Sequence, residues 1–387
     1  MKLLWLASWF PSRVDPTAGD FIERQAEAVA PALTQLNVFH VVRDDQLKPG
    51  KIEWTKEERP HYTVWIAYYC PPSLPRVLET TVAGLLYMRS FQVLWKQCYG
   101  EQDRPDLMHV HVAMRAGLVA RYWSKRYRIS YIVTEHWTGY YPASIPCLDD
   151  MPRWYRAQAK RVLREAKLIL PVSIDLGKQL KALAPHTAIE VVPNVVHTDY
   201  FHPLPAGDSS IKRFVHFSYL NEQKNPEGIV EALCLLRDRG YEFRFDFFGA
   251  KPYALIHLIR SYALESMVGV HDGIPYQEVA REMQRSDGLV LFSRFENQPC
   301  VILEAQAVGI PVVATTVGGI PELVGKEQGF LVPVDDVNAL ADAMEKLLLH
   351  PEQFDRAFIA AQAAQRYNYV AVRLKLMLCY QQVVGRS

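Results

Sequence analysis

The stretch SRFENQPCVILEAQAVGIPVVATTVGGIPELV (residues 293–324) reads as a strand end, a polar loop, a helix and a second strand. A strand closes at Ser293, and Glu296 and Asn297 follow in the loop. Pro299 stands near a helix start, where its missing N–H would find no intrahelical partner anyway. Glu304 falls inside that helix, which ends at Gly309 before a buried strand opens at Pro311. The free N–H groups of the first turn, with the positive end of the helix dipole, form an anion site. A carboxylate beside such a site can bind hydroxyls, and a second one or two turns along can grip a diol. Spacing alone equally fits an ordinary helix with a capping glutamate, because two glutamates eight apart are common.

The same alternation extends along the whole chain. Strand candidates in the first half are 3–8, 37–42, 63–69, 107–112, 131–136, 168–173 and 189–194; in the second they are 214–220, 243–249, 268–273, 288–293 and 311–316. Helical patterns follow, among them 226–238, 275–284, 299–308 and 337–349. Continuous apolar strands imply sheets covered on both faces, as in parallel α/β folds. Residues 194–213 hold Pro203, Pro205, Gly207 and two serines without period, and read as a linker. A chain of 387 residues suits two such domains. In open α/β sheets ligands lie outside the carboxyl ends of the strands, so a cleft between two domains is where the chemistry is expected.

Composition narrows the classes. Charged residues make up 22% of the chain and no apolar run approaches the roughly 18 residues needed to cross a bilayer. MKLLWLASWF has the look of a signal peptide, but Pro11, Arg13 and Asp15 follow without a small-residue cleavage pattern, and a first buried strand is the better reading. Six scattered cysteines without a Cys-x-x-Cys pair argue against a disulfide framework or zinc site and fit a reducing cytosol. The net charge of +1 hides an asymmetry: residues 1–200 carry 25 basic and 20 acidic side chains, the remainder 18 and 22. Different partners for the two halves are expected.

The segment 293–324 resembles the donor-binding motif of family 4 (group 1) retaining glycosyltransferases. It has two glutamates separated by seven residues, Glu296 and Glu304, then Ala307 to Val313 as Ala-x-Gly-x-Pro-Val-Val, then a Gly-Gly-x-x-Glu turn at Gly318, Gly319 and Glu322. Further matches run in family order: the loop at 10–29 with Gly19, the His-x-His strand at 109–111, YIVTEHWTGYY (131–141) with His136, and PNVVHTDYFHP (193–203). DFFGAKP (246–252) and the turn around Ile274 complete the series. The resemblance implies two Rossmann-like domains facing across a cleft (the GT-B fold). The first would be the acceptor-binding domain, 1–200 with the returning C-terminal helix 366–387. The second, 201–365, would bind the donor. The implied substrates are a nucleotide-diphosphate sugar of UDP or GDP type and a glycan or lipid-linked acceptor. No metal and no cofactor are implied, since Asp149-Asp150 and Asp335-Asp336 fall in apparent loops rather than in a metal-holding motif at a strand end.

The site residues follow from the same resemblance. His136, Glu296 and Lys224 are the catalytic candidates. Donor contacts fall to Gly19, Tyr219, Lys224, Ala250, Lys251, Ile274, Glu296, Asn297, Gln298, Pro299, Cys300, Val301 and Glu304. One departure stands out: Ser218 and Tyr219 occupy positions where the family carries glycine and a diphosphate-binding arginine. A tyrosine offers one hydrogen bond where arginine offers a charged fork. Arg294, Lys251 and Arg13 are the candidates to supply the missing charge. A separate expectation concerns 151–168, where Arg153, Arg156, Lys160, Arg164 and Lys167 recur at helical steps opposite Tyr155, Ala159, Val162, Leu163 and Ala166. This face is either a solvated exterior or a surface for anionic lipid, which would place a cytoplasmic enzyme on the inner face of the membrane. No RNA-binding motif accompanies the basic residues. The competing functions on this architecture are a nucleotide-sugar 2-epimerase and a catalytically silent nucleotide-sugar-binding subunit.

Overall fold

A computed structural model describes residues 1–99, 103–205, 211–249 and 252–385. Its first sheet holds β1 (Lys2–Ala7), β2 (Gln35–Arg43), β3 (Ile52–Glu58), β4 (Thr63–Tyr69), β5 (Leu107–His111), β6 (Tyr131–Glu135) and β7 (Ile169–Pro171), in the order β3-β4-β2-β1-β5-β6-β7. All neighbours pair parallel except β3 with β4. The second sheet holds β8 (Lys212–Ser218), β9 (Phe243–Gly249), β10 (Val268–His271), β11 (Gly288–Leu291), β12 (Val312–Thr315) and β13 (Gly329–Val332). It is wholly parallel, in the order β10-β9-β8-β11-β12-β13. The first lobe carries helices α1 (Asp20–Val29), α2 (Arg76–Cys98), α3 (Ala116–Tyr127), α4 (Arg153–Glu165) and α5 (Ile174–Leu183). The second carries α6 (Pro226–Asp238), α7 (Tyr253–Ser261), α8 (Tyr276–Gln284), α9 (Cys300–Ala307), α10 (Val337–Leu349) and α11 (Arg356–Tyr367), and α12 (Tyr369–Val384) closes the chain. Two Rossmann-like lobes facing each other make this the GT-B fold.

Burial explains the strand composition. Leu3 to Ala7 are all buried because β1 lies mid-sheet with helices on both faces. One face packs Leu4 and Leu6 with Phe39, Phe91 and Trp123; the other packs Leu3 and Trp5 with Ile22 of α1. Into that second core α12 inserts Val372, Leu376 and Tyr380, whereas α11 packs Ala363 and Tyr367 on the second lobe. The crossing between lobes falls at Asn368, whose side chain accepts from the Ala371 N–H at 2.7 Å and caps α12. Each fully buried aliphatic side chain on α12 contributes about 1.5–3 kcal/mol relative to exposure, enough to fix the returning helix.

Three sequence expectations need correction. Residues 189–194 form no regular strand: Ile189 makes an isolated bridge to Ile169, the Glu190 and Val192 N–H groups donate to the Ile169 and Pro171 carbonyls, and Pro193 has no N–H to extend the pairing. Two strands lie outside the expected set: the 52–58 strand is mostly charged and exposed, and β13 is apolar but only four residues long, and they gain their places by pairing with β4 and β12. The five-cation face is also shorter than expected. α4 ends at Glu165, so Lys167 lies beyond it; Arg156 pairs with Asp149 at 3.3 Å, and the Arg164 Nε donates to the Leu183 carbonyl at 2.8 Å. Ala159, Val162 and Leu163 do face inward.

Candidate active site

In each sheet the chain order reverses about a central strand, between β2, β1 and β5 in one and between β9, β8 and β11 in the other. The loops leaving those strands face each other and line a cleft of about 810 Å³. That volume suits a ligand of several rings. His136, Gly19, Tyr219, Lys224, Ile274, Glu296, Asn297, Gln298, Pro299, Cys300, Val301 and Glu304 all line it. Ala250 and Lys251 lie outside the described residues.

Two glycine-bearing turns shape the walls. Gly19 precedes α1 with φ +70°, and a Cβ there would stand 2.7 Å from the Trp9 carbonyl carbon and oxygen. The loop therefore approaches the cleft as bare backbone. Gly318, at φ +50°, and Gly319 thread under the 296–297 loop; Cβ atoms would meet the Glu296 carbonyl at 1.8 Å and the Asn297 carbonyl at 2.1 Å. Beyond them the Glu322 carboxylate crosses to the first lobe. It accepts from the Ile174 N–H at 2.8 Å and the Asp175 N–H at 2.7 Å, capping α5.

Asn297 and Gln298 tie the lobes together through their amides. The Asn297 Nδ2 donates to the His136 carbonyl at 2.5 Å. The Gln298 side-chain oxygen accepts from the Asn194 N–H at 2.6 Å, while the Asn194 Nδ2 donates to the Gln298 carbonyl at 3.1 Å. The His136 imidazole packs on Phe21 with ring centroids 4.7 Å apart, and its buried Nε2 has no hydrogen-bond partner among the described residues. Burial drives its pKa down to about 3, so the ring is neutral at working pH. Its position is fixed from below by Glu135, which accepts from the N–H groups of Ala113, His136 and Trp137 and from the Tyr140 hydroxyl, each at 2.9 Å.

The two glutamates are each matched by a cation. Glu296 forms an ion pair with Lys224, from the turn after β8. Glu304 is buried on α9, and burial raises its pKa to about 7 against the opposing pull of Arg24. The Arg24 Nη2 stands 3.9 Å from Glu304, and its Nη1 donates to Asp20 at 2.7 Å. Arg24, Asp20, Phe21 and Tyr276 are cleft residues that sequence reasoning missed. The charged pair at 20 and 24 follows Gly19 at helical spacing, but nothing in the pattern says that this charge is buried. Arg13 and Arg294 do not supply charge here: Arg13 pairs with Asp44 at 2.8 Å and Arg294 with Asp335 at 3.0 Å. Tyr219 is 68% exposed at the rim, its hydroxyl 3.4 Å from that of Thr17. Among the described residues no three His, Cys, Asp or Glu side chains are grouped to hold a metal ion, and no helix is long and apolar enough to cross a membrane.

Comparison with known proteins gives matches to both halves of the chain. The family described as Glycosyltransferase Family 4 matches residues 22–200, and Glycosyl transferases group 1 matches residues 208–365. A Bacillus subtilis (strain 168) protein named as a teichuronic acid biosynthesis glycosyltransferase, TuaC, is 26% identical over 389 residues, 94% of each chain. WcaL of Escherichia coli (strain K12), named for colanic acid biosynthesis, is 33% identical over 202 residues, 49% of this chain and 50% of its own. Among solved structures, sucrose-phosphate synthase from Thermosynechococcus elongatus superposes with a TM-score of 0.79 at 20% identity, over all of both chains. Anabaena Alr3699/HepE in complex with UDP gives 0.75 at 17% identity, over 99% of this chain and 100% of that one. These two likenesses are of fold. With both lobes matched in order, the chain belongs to the group 1, family 4 glycosyltransferases.

Proposed function

We propose that the cleft transfers a hexosyl group from a UDP- or GDP-linked sugar to a hydroxyl of a glycan or lipid-linked acceptor in cell-surface polysaccharide or glycolipid assembly. The observation that carries this reading is the pair Glu296 and Glu304, on one wall beside the N-terminus of α9, each facing a cation. Glu304 would accept the ribose hydroxyls and Glu296 the hydroxyls of the donor sugar. The N–H groups of Cys300 and Val301, the bare loop at Gly19 and Lys224 would take the diphosphate. The names of TuaC and WcaL, both tied to surface polysaccharides, and the UDP complex of HepE support this assignment.

In the transfer step the bond from the anomeric carbon to the diphosphate oxygen breaks, and its electron pair leaves with the phosphate. The acceptor oxygen bonds to the anomeric carbon from the same face, giving retention, and its proton passes to the departing phosphate oxygen. Preorganised donors aimed at that oxygen contribute several kcal/mol. Neutral His136 lines the cleft and its buried Nε2 has no partner among the described residues, so the ring would hydrogen-bond the donor sugar or orient the acceptor. The scheme assigns charge neutralisation to the chain itself and uses no metal.

Incubation with a panel of nucleotide sugars, with and without EDTA, tests the reading. Slow nucleotide release that persists in EDTA is expected. Conversion of the sugar without release would make the protein an epimerase, and binding alone a silent subunit. For the acceptor side, α4 exposes Arg153, Arg161 and Trp154, and α2 exposes Val77, Leu78 and Leu85. We propose that this mixed basic and apolar surface rests on an anionic membrane. Retained binding to anionic liposomes after charge reversal at Arg153, Arg156 and Lys160 would refute it.

A further inference from the structure

Arg24 is a buried cation with little to hold it. Its residue is 7% exposed, yet of five guanidinium N–H donors only Nη1 has a short bond to an oxygen, on the half-exposed Asp20, and the other group interacting with it at hydrogen-bonding range is the weakly accepting thiol of Cys300. The Glu304 oxygen lies at 3.9 Å, beyond hydrogen-bond distance, and the buried Nε has no partner among the described residues. One face of the guanidinium lies over Tyr276, with 4.5 Å from Cζ to the ring centre. Its setting is the start of α9, beside Cys300, where backbone N–H groups and the helix dipole already favour an anion. A charge this deep with unmet donors is costly unless a ligand completes its bonds. Among the described residues, Lys224 and Arg24 are the two Lys or Arg side chains that line the cleft.

We propose that Arg24 is a phosphate-binding residue of the donor site, filling from the first lobe the place that an arginine at position 219 would fill from the second. This rests on the nucleotide-diphosphate reading of the cleft and goes beyond it by assigning a ligand group to α1. The guanidinium fork matches phosphate oxygens bidentately, as neither Tyr219 nor Lys224 does. Tyr219 at the exposed rim brings only a hydroxyl. Because α1 packs in the core of the first lobe while α9 belongs to the second, a phosphate held between Arg24 and the α9 N–H groups joins both lobes. Donor binding and cleft closure are then one event.

The test compares affinities of UDP, GDP, uridine and guanosine for the wild type, Arg24→Gln, Arg24→Lys and the double variant Arg24→Gln/Tyr219→Arg, by calorimetry on the full chain. Measured at about pH 9, where Glu304 is ionised with or without Arg24, loss of Arg24 is expected to weaken the preferred diphosphate about 10- to 100-fold while leaving its nucleoside within about twofold. Arg24→Lys should keep part of the diphosphate preference, and Tyr219→Arg should restore it in the Gln background. Equal loss for nucleoside and diphosphate would instead make Arg24 a support for Glu304, and unchanged affinities would remove it from the site; either result overturns the inference. Should Arg24→Gln not fold, the Arg24→Lys and Tyr219→Arg single variants decide the matter. A diphosphate-to-nucleoside preference that neither variant alters overturns the proposal. A wild-type protein that binds none of the four ligands fails the parent reading, a result separate from all of these.

Discussion

Glu296 meets its cation inside the second lobe, whereas Glu304 meets its own across the cleft. Lys224 and Glu296 leave adjacent strands, β8 and β11, so their pair exists whatever the first lobe does. The Arg24–Glu304 pair holds only while the lobes face each other as they do here. On the proposed reading the difference separates two tasks on one wall: the first pair would act on the reacting end of the donor, the second would register that a nucleotide has arrived. The sharpest way to break this division is Lys224→Ala. It leaves Glu296 without its partner and takes a cation from the departing phosphate, and a fall of about 10²- to 10³-fold in nucleotide release at saturating donor is expected. A loss below tenfold would mean that the charge on the leaving group is met elsewhere.

A smaller effect follows from the protonation of Glu304. Burial holds its pKa at about 7 in the folded chain, above the ordinary carboxylate value of 4.5, while Arg24 pulls it down. The ionised form is the better acceptor for two ribose hydroxyls, so nucleotide affinity should improve by about tenfold as pH rises from 6 to 8. Glu304→Gln should flatten that profile, and Arg24→Gln should move its midpoint upward. Stability runs the other way. A raised folded pKa contributes stability that is complete below about 4.5 and is lost as pH rises through about 7. His136 adds no inflection in this range, because its ring titrates near 3. A midpoint that survives Glu304→Gln would assign the titration to another group.

The sequence made the second lobe's wall more legible than the first lobe's. Glu296, Glu304, Gly318 and Gly319 sit in one continuous segment, and strand, loop and helix alternate there with full hydrophobic contrast. Lys224 is legible through the family resemblance, which places a lysine a few residues after the first strand of the second lobe. Arg24 left no such mark: between Glu23 and Gln25 it looks like solvent-facing helix, and only packing of α1 against α12 and the second lobe buries it. Asn194 was visible as part of a linker motif, but its clamp on Gln298 depends on two chain segments 104 residues apart. The proposed surrogates Arg13 and Arg294 failed for the converse reason. Each has a nearby carboxylate, Asp44 or Asp335, that sequence distance conceals.

The smallest predicted effect tests whether closure is itself part of the site. Glu322 caps α5 from the other lobe, and its two carboxylate oxygens take N–H groups that no residue of α5 satisfies. A cap of this kind is worth about 1 kcal/mol. If the bond mattered only to folding, Glu322→Ala would lower the melting temperature and leave ligand affinity alone. Its position argues otherwise. The carboxylate follows directly on Gly318 and Gly319, which pass beneath the Glu296 and Asn297 carbonyls, so releasing it loosens the loop that carries Glu296 and the face that α5 presents to it. The expected result is a nucleotide affinity weakened about fivefold, the equivalent of that 1 kcal/mol, with the rate of release at saturation nearly unchanged. An unchanged affinity with a lower melting temperature would leave Glu322 a cap and place the cost of closure on Asn297, Gln298 and the Arg24–Glu304 pair alone.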